Sequence, residues 1–335
     1  AMLQALSPPV LWGEYSFRIG ASIGIAIPET ARRDNPAELF TQADIALYAA
    51  KAGGKNTSRL FDPQMKRDSD QRFETVRNIA RALGQDELAL FYQPKRYLGD
   101  GGHAGFEALL RWRRPGGEVV SAGAFQSAFE DPELSARLGR FVVEQALLQA
   151  AQWNAAGLDF GHIAMNLSAA QLLDPDFAEA LIARMAELGL AARMIEVEVT
   201  EGVFLDQEKG TVQRILERLQ SSGVRVALDD FGTGHASLVH LRTYPIDVIK
   251  IDRSFVQRFL HSAQDRAILE TILRLGESLG MDIVAEGIES DEQFETLRAL
   301  GCHLGQGFLF APAIPPEAAC ALLQPRRDQA LRLAV

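Results

Sequence analysis

The sequence MIEVEVTEGVFLDQEKGTVQRILERLQSSGVRVALDDFG, residues 194–232, contains one complete unit of an alternating pattern. Short apolar runs stand at its two ends, Met194–Thr200 and Val224–Asp229, and residues 205–222 between them carry apolar side chains at helical spacing. A strand, a helix and a strand in this order predict two neighbouring parallel strands joined by a crossover helix.

The same alternation extends in both directions from this unit. The eight predicted strands are Leu88–Tyr92, Gly105–Trp112, His162–Leu167, Met194–Thr200, Val224–Asp229, Val248–Ile251, Asp282–Ala285 and Leu304–Phe310. The longer predicted helices cover residues 124–156, 175–188, 205–222, 264–280 and 290–300. Eight strands in about 240 residues predict an α/β fold, a closed (β/α)8 or TIM-like barrel. An open, doubly wound sheet is the alternative, but no glycine-rich dinucleotide motif opens the first unit.

The segment before the barrel has a different pattern. It contains a β-rich run at Phe17–Ile27, helical periodicity over residues 36–52 and a charged amphipathic helix over residues 67–83. The predicted domains are a small α/β fragment (1–62), a linker helix (63–85), the barrel (86–325) and a C-terminal tail (326–335).

Composition and charge limit which ligands the protein could bind and in which cellular compartment we expect it. The 335 residues are 47% hydrophobic and 23% charged, as in ordinary globular proteins, and no apolar run approaches the roughly 18 residues of a membrane span. A formal net charge of −10 would repel a nucleic-acid polymer. Cys302 and Cys320, with no secretory signal, predict reduced thiols in a cytoplasmic protein. Tethering to a membrane by an upstream segment stays open.

Polar side chains stand within or just after nearly every predicted strand, most of them at its carboxyl end. They are Glu107, Asn166, Glu198, Asp229, Asp230, Lys250, Asp252, Glu286 and Gln306. Any one of them could be a helix cap or a structural partner. However, the carboxyl ends of parallel strands open onto one mouth, and burying so many carboxylates together is unfavourable unless cations neutralise them.

The chemistry of these residues favours hard cations. An oxygen ligand set without histidine or cysteine selects Mg²⁺ or Mn²⁺, and the adjacent Asp229 and Asp230 could serve two ions, an arrangement used for attack on a phosphodiester. The guanidinium of Arg111 suits a phosphate oxygen, and Lys250 could hold or deprotonate the attacking water. His235 is the one histidine that we expect near the site.

These motifs resemble the EAL domain, whose name-giving tripeptide is present as Glu107-Ala108-Leu109. The resemblance extends over about residues 70–325 and keeps the motifs in the order of the family. It implies a modified barrel in which one early strand runs antiparallel. It also implies a phosphodiesterase that opens cyclic di-GMP to the linear dinucleotide pGpG.

The resemblance implies a role for each matching position. The first metal site would consist of Glu107, Asn166, Glu198 and Asp229, and the second of Asp229, Asp230 and Glu286. Lys250 would orient the attacking water, with Glu286 and Glu107 as the other catalytic positions. Substrate contacts are expected from Gln93, Arg111, Asp252, Gln306 and Pro312, and support from Glu201 and Glu289. The implied cofactors are two divalent cations, Mg²⁺ or Mn²⁺, and Ca²⁺ could bind and inhibit.

The N-terminal segment resembles the C-terminal end of a GGDEF domain through residues 22–26, 43–48 and 50–56. The GGDEF string itself is absent, so this chain is not expected to synthesise cyclic di-GMP. The resemblance further implies a homodimer through the EAL domain and an upstream GGDEF or sensor domain in the native chain.

The chain departs from the EAL pattern at three places. His235-Ala236 replaces an aromatic residue and a serine, residues 127–133 differ from the usual Ala-Glu-Glu-Thr-Gly pattern, and residues 310–315 shift a proline. None of these departures removes a predicted metal ligand. A non-catalytic cyclic di-GMP receptor is the alternative function, and another divalent-metal barrel enzyme, such as a lyase or an aldolase, is a third.

Overall fold

The computed structural model describes residues 2–6, 8–13, 15–17, 19–28, 35–204, 209–232 and 238–323. The chain divides into two compact units, Ala1–Asn78 and Ile79–Val335. Within the described ranges, every helix is too short or too polar to cross a bilayer.

The first unit contains a β-α-β arrangement. Its elements are α1 (Met2–Leu6), β1 (Val10–Trp12), β2 (Tyr15–Phe17), β3 (Ile23–Ile25), α2 (Pro36–Ala52), β4 (Ser58–Leu60) and most of α3 (Pro63–Leu83). β3 and β4 pair in parallel, and α2 connects them. Asn35 caps α2 by accepting a hydrogen bond from the Ala37 N–H at 3.1 Å. Gly24 lets α2 lie against β3, since a Cβ there would stand 2.0 Å from the carbonyl oxygen of Ala43. The two helices predicted in this region are confirmed.

Among its described residues, the second unit contains nine strands, eight of which form a closed barrel. The strands are β5 (Leu88–Tyr97), β6 (His103–Arg113), β7 (Val119–Ser121), β8 (His162–Asn166), β9 (Ile195–Thr200), β10 (Arg225–Phe231), β11 (Val248–Ile251), β12 (Asp282–Glu286) and β13 (Leu304–Gln306). The ring has the order β5-β13-β12-β11-β10-β9-β8-β6, and β6 pairs back onto β5. The short strand β7 extends the sheet beyond β6. The predicted TIM-like barrel is therefore confirmed.

The helices of this unit lie between its strands, except the last one, which follows β13. They are α4 (Pro132–Ala155), α5 (Ala169–Leu173), α6 (Phe177–Glu187), α7 (Lys209–Ser221), α8 (Leu238–Thr243), α9 (Arg253–Arg258), α10 (Ala263–Leu279), α11 (Asp291–Ala299) and α12 (Pro316–Leu323). A layer of buried apolar side chains is formed by Ala104, Ala227, Val248, Val284 and Leu304, one from each of five strands.

Strand β5 runs antiparallel to both of its neighbours, β6 and β13. The other neighbouring pairs of the ring are parallel. This arrangement confirms the expected early antiparallel strand. Because seven strands share one direction, their carboxyl ends meet at one mouth, and β5 begins at that mouth and ends at the opposite floor.

The predictions for β5, for β13 and for the helix over residues 124–156 differ most from the structure. Strand β5 continues past Tyr92 to Tyr97. The prediction stopped at Tyr92 because the later side chains are polar and face partners inside the barrel, which interrupts the apolar pattern. Strand β13 stops at Gln306, short of the predicted Phe310. At Gly307 the chain approaches residue 288 so closely that a Cβ would stand 2.1 Å from the Ile288 carbonyl oxygen.

The helix predicted over residues 124–156 is two elements. A 3-10 helix covers Ala122–Ala128, and α4 begins only at Pro132. Asp131 caps α4 by accepting a hydrogen bond from the Leu134 N–H at 2.8 Å. The Asp-Pro pair at 131–132 is a typical start of a helix. The departure of residues 127–133 from the EAL pattern lies where the 3-10 helix ends and α4 begins.

Candidate functional site

The predicted ligand residues converge at the mouth of the barrel. Glu107 lies on β6, Asn166 and Glu198 on β8 and β9, Asp229 and Asp230 on β10, Lys250 on β11, Glu286 on β12 and Gln306 on β13. Seven strands or strand ends thus deliver polar side chains to one place.

The carboxylates form two overlapping groups. Carboxylate oxygens of Glu107, Glu198 and Asp229 lie within 4.8 Å of one another, and so do those of Asp229, Asp230 and Glu286. Asp229 belongs to both groups. This division into two groups that share Asp229 coincides with the two metal sites implied by the sequence, apart from the amide ligand Asn166.

Lys250 lies among these carboxylates. Its buried ammonium nitrogen is 2.6 Å from Glu198 Oε2, 2.8 Å from Glu286 Oε1 and 3.1 Å from Asp229 Oδ1, and it is 3.6 Å from Glu107 Oε2. Burial acts to lower the pKa of Lys250, but the surrounding carboxylates outweigh it and hold that pKa well above its ordinary value. The surrounding carboxylates therefore favour the protonated, cationic form of this side chain.

One ammonium does not neutralise the site. Burial is the largest cause that raises the pKa of Glu286 to about 8, against the opposing attraction of Lys250. Burial followed by repulsion from Asp229 raises the pKa of Asp230 to about 6. Burial and then Glu107 raise the pKa of Glu198. Burial and, after it, neighbouring carboxylates thus oppose ionisation of these three groups.

The residues present fit hard divalent cations. When all of them are ionised, the five carboxylates of the two groups and Glu196 carry six negative charges against the two ammoniums of Lys250 and Lys95, which leaves an excess of four, equal to the charge of two divalent cations. The donor atoms are carboxylate and amide oxygens, the ligands that Mg²⁺ and Mn²⁺ prefer. In addition, the buried amide oxygen of Gln306 has no hydrogen-bond partner within the part of the chain that the structure describes.

Neutral amides hold Glu107 in place. Asn166 Nδ2 donates to Glu107 Oε1 at 3.0 Å, and Gln306 Nε2 donates to Glu107 Oε2 at 2.6 Å. Gln306 Nε2 also donates to Gln93 Oε1 at 3.0 Å, and Gln93 Nε2 donates to the carbonyl of Ala311 at 3.2 Å. This row of amides restricts the carboxylate of Glu107 to one orientation.

The backbone of β10 takes a left-handed conformation near the end of the strand. Asp230 has φ of 55°, a left-handed conformation that aspartate tolerates better than most residues, and its N–H donates to Asp229 Oδ1 at 2.9 Å. Just beyond, the Gly232 N–H donates to Glu201 Oε1 at 2.9 Å. Glu201 therefore contacts the start of the following loop. The predicted contact of His235 and the departure at His235-Ala236 lie outside the described residues.

A cavity of about 350 Å³ opens beside the carboxylates. Its walls include Gln93, Glu107, Leu109, Arg111, Ser121, Asp229, Lys250, Arg253, Glu286, Glu289, Gln306 and Phe308. Burial lowers the pKa of Arg111 while Glu107 opposes that shift. The side chains of Arg253 and Phe308 are exposed, and both were missed from the sequence because neither ends an apolar strand.

Two predicted substrate positions stand apart from these walls. Asp252 caps α9 by accepting a hydrogen bond from the Ser254 N–H at 2.9 Å, and its negative charge contributes to the raised pKa of Asp230. Pro312 is exposed and follows Ala311, the residue whose carbonyl holds Gln93. Neither is among the described residues that line the cavity.

A buried lysine below the mouth was also missed. Lys95 Nζ donates to Glu196 Oε1 at 2.7 Å and to Glu198 Oε1 at 2.8 Å. The signal in the sequence is the pair Glu196 and Glu198, which the two-residue period of a strand places on one face. A cation facing that pair could have been anticipated, but not its position on β5.

Two family models match the chain. The EAL domain model matches residues 76–313, and the model of the diguanylate cyclase GGDEF domain matches residues 1–57.

Curated relatives are similar over almost the whole chain. The chain is 35% identical over 321 residues to the bifunctional diguanylate cyclase/cyclic di-GMP phosphodiesterase MucR of Pseudomonas aeruginosa, with 94% of this chain and 46% of that protein covered. It is 32% identical over 315 residues to the cyclic di-GMP phosphodiesterase NbdA of the same organism, with 94% and 40% covered. The chain thus spans less than half the length of either relative.

Solved structures share the barrel. The structure of the MucR phosphodiesterase in its c-di-GMP complex is similar with a TM-score of 0.69 at 35% identity, covering 73% of this chain and 99% of that one. The EAL domain of Mycobacterium smegmatis DcpA is similar with a TM-score of 0.60 at 31% identity, covering 71% and 96%. With its barrel, its strand-end carboxylates and a family match over residues 76–313, this chain belongs to the EAL domain family.

Proposed function

We propose that the chain is a metal-dependent phosphodiesterase that hydrolyses cyclic di-GMP to linear pGpG. The observation that carries the proposal is the cluster of five carboxylates around Lys250, with its excess of four negative charges, at the mouth of an EAL barrel. Relatives named as cyclic di-GMP phosphodiesterases support the choice of substrate.

Two divalent cations, Mg²⁺ or Mn²⁺, would bind in the two carboxylate groups. Glu107, Asn166, Glu198 and Asp229 would hold the first, and Asp229, Asp230 and Glu286 the second. When bound, the cations supply positive charge to a phosphodiester and lower the pKa of water at the site.

The side chains around the cations would orient the reactants. Lys250 has three N–H donors, and once cations hold the neighbouring carboxylates, a donor becomes available to orient the attacking water. Arg111 lines the cavity and would contact a phosphate oxygen through its planar guanidinium. Gln306 would hold Glu107, Gln93 would hold Gln306, and both would contact the dinucleotide, while Asp252 and Pro312 would act at the edge of the site.

The reaction consumes one water for each bond cleaved. The oxygen of the water forms a bond to phosphorus, and the bond from phosphorus to the 3′-oxygen of one ribose breaks. The leaving 3′-oxygen takes up a proton, which balances the proton lost by the water. The product is a linear dinucleotide with a 5′-phosphate.

The test is incubation of the purified chain with cyclic di-GMP and Mg²⁺ or Mn²⁺, followed by chromatography of the products. We expect pGpG with either ion and none in EDTA. Glu107→Gln keeps the shape of the side chain but removes its charge, so we expect the rate to fall by more than about 100-fold, beyond the loss typical of an outer-shell partner.

The matched control is Glu118→Gln, which changes an exposed glutamate that pairs with Arg114 on the surface. We expect it to hydrolyse cyclic di-GMP at the parent rate. Tight binding of cyclic di-GMP without product under every condition would replace the proposal with the non-catalytic receptor.

A further inference from the structure

A second lysine lies behind the candidate metal site. Lys95 is fully buried, as are its partners Glu196 and Glu198. Its ammonium nitrogen is 2.7 Å from Glu196 Oε1 and 2.8 Å from Glu198 Oε1. Lys250 contacts the other oxygen of Glu198, Oε2, at 2.6 Å. The two lysines therefore divide the two oxygens of this carboxylate between them.

Strand direction explains how Lys95 reaches this position. β5 is separated from β9 by β6 and β8 in the ring, so Lys95 reaches Glu198 through the barrel interior. Gln93 is opposite Glu107 and Lys95 is opposite Gly105 in the pairing of β5 with β6. Because β5 runs from the mouth towards the floor, Lys95 approaches Glu198 from the side facing away from the mouth.

Glu196 balances the charge of Lys95. Its second oxygen, Oε2, is 3.5 Å from both His162 Nε2 and Arg225 Nε. Lys95 and Glu196 thus form a buried pair without net charge. Such a pair can hold Glu198 by a hydrogen bond and still leave the negative charge of Glu198 for a cation in the mouth.

We propose that Lys95, paired with Glu196, is a positioning residue of the metal site, which holds Glu198 by Oε1 so that Oε2 is presented to a cation. This inference rests on the proposed metal-dependent function. Outer-shell partners that fix a ligand typically change metal affinity by about 10–100-fold. Lys95 and Glu196 would be such partners, contributed by two strands that are not neighbours.

A role for Lys95 through its charge and a role through the position of Glu198 predict opposite changes in cation affinity, so the two can be distinguished. If Lys95 acted by charge alone, removing it would strengthen cation binding, because the site would become more negative. If Lys95 and Glu196 are removed together, the net charge of the site does not change. A loss of cation affinity in that double variant therefore reports on the position of Glu198.

The experiment measures Mn²⁺ binding by calorimetry, without substrate, in the parent chain and in Lys95→Met/Glu196→Gln. Unfolding in EDTA, followed by circular dichroism, shows whether each protein is folded. The control variant is Leu147→Ala, which opens a cavity in α4 at a fully buried side chain outside this network. Hydrolysis of cyclic di-GMP is measured in parallel at saturating Mn²⁺.

We expect the double variant to bind Mn²⁺ about tenfold more weakly or worse, and Leu147→Ala to bind it like the parent although it is less stable. A folded double variant that binds Mn²⁺ within twofold of the parent would overturn the positioning role and leave the phosphodiesterase intact. A double variant that fails to fold is replaced by Lys95→Met alone, for which charge predicts stronger Mn²⁺ binding and the lost hydrogen bond to Glu198 predicts weaker binding. A parent chain that binds no Mn²⁺ would overturn the metal site itself, and the positioning role with it.

Discussion

Glu198 contacts two buried ammonium groups, that of Lys95 through one carboxylate oxygen and that of Lys250 through the other. The two lysines have different surroundings. Lys95 has Glu196 as a second partner, whereas Lys250 faces carboxylates that outnumber it. Burial of an ammonium is tolerated at both positions because carboxylates surround it.

The first prediction at this scale concerns Lys250→Met in EDTA. The variant leaves several buried carboxylates without their ammonium, so we expect the free energy of unfolding to fall by about 3 kcal/mol or more. Denaturant unfolding measures it. Arg266→Met, which removes an exposed pair with Glu270, should cost less than about 1 kcal/mol. A similar small loss for Lys250→Met would show that the carboxylates do not depend on it.

His103 gives a prediction about pH. Burial, with a further contribution from Arg96, lowers the pKa of His103 from 6.5 to about 4. Between these pH values the unfolded chain binds a proton that the folded chain does not, so the free energy of unfolding falls as the pH falls. His103→Gln should flatten this dependence between about pH 6.5 and 4 relative to the parent.

Denaturant unfolding at several pH values measures that slope, and His261→Gln, at an exposed position, is the control. His103 lies beside Phe106 with 4.4 Å between ring centroids, and its Nε2 pairs with the Phe160 carbonyl at 3.2 Å. An unchanged slope in His103→Gln would mean that His103 titrates normally in the folded chain.

The elements of the barrel are stabilised by local signals that the sequence displays. Helix α4 follows an Asp-Pro start, and α5 and α11 begin with capping boxes at Ser168 and Ser290. These caps satisfy N–H groups that the first turn of a helix leaves without partners. They help to place the helices so that the strand ends between them meet at the mouth.

The prediction at this scale compares two aspartates at helix starts. Asp131 caps α4 through its side chain, whereas Asp176, at the start of α6, makes no side-chain cap hydrogen bond. We expect Asp131→Ala to lower the free energy of unfolding by about 1 kcal/mol. We expect Asp176→Ala to change it by less than about 0.5 kcal/mol. Thermal and denaturant unfolding of both variants would measure this, and equal losses would contradict the assignment of the cap.

Most of the barrel and of its carboxylate cluster could be predicted because apolar strands ending in polar residues have a strong pattern. Strand β5 was predicted too short because Gln93 and Lys95 are polar, although they face the interior of the barrel, where they contact polar partners. Lys95 was missed for the same reason. Its partners come from β9, about a hundred positions away, and only the closed ring brings them together.

At the scale of the whole molecule, the two units differ in how much they bury. Helix α2 of the first unit buries Ala46 and Ala50 among its described residues, while Trp12 and Phe40 are exposed. The second unit has a continuous apolar core around its barrel. The first unit matches the GGDEF domain model over residues 1–57, but the GGDEF string is absent from the sequence.

The prediction for the whole chain is that it does not make cyclic di-GMP. Incubation with GTP and Mg²⁺ should leave GTP unchanged by chromatography, because the chain lacks the string after which the cyclase domain is named. Cyclic di-GMP added to the same preparation should be hydrolysed, which shows that the protein is active. Formation of any guanine dinucleotide from GTP would contradict the prediction.

The reversed strand β5 also determines where the chain enters the barrel. Leu88 pairs with Trp112, towards the mouth end of β6, and the Glu87 carboxylate accepts a hydrogen bond from Trp112 Nε1 at 3.0 Å. Helix α3 ends at Leu83, shortly before this point. In an all-parallel barrel the first strand would start at the floor, about 30 Å of strand away from the mouth for a strand of this length. Here the chain that leaves α3 enters the barrel at the rim of the candidate site, and the first strand that it forms is the wall that carries Gln93.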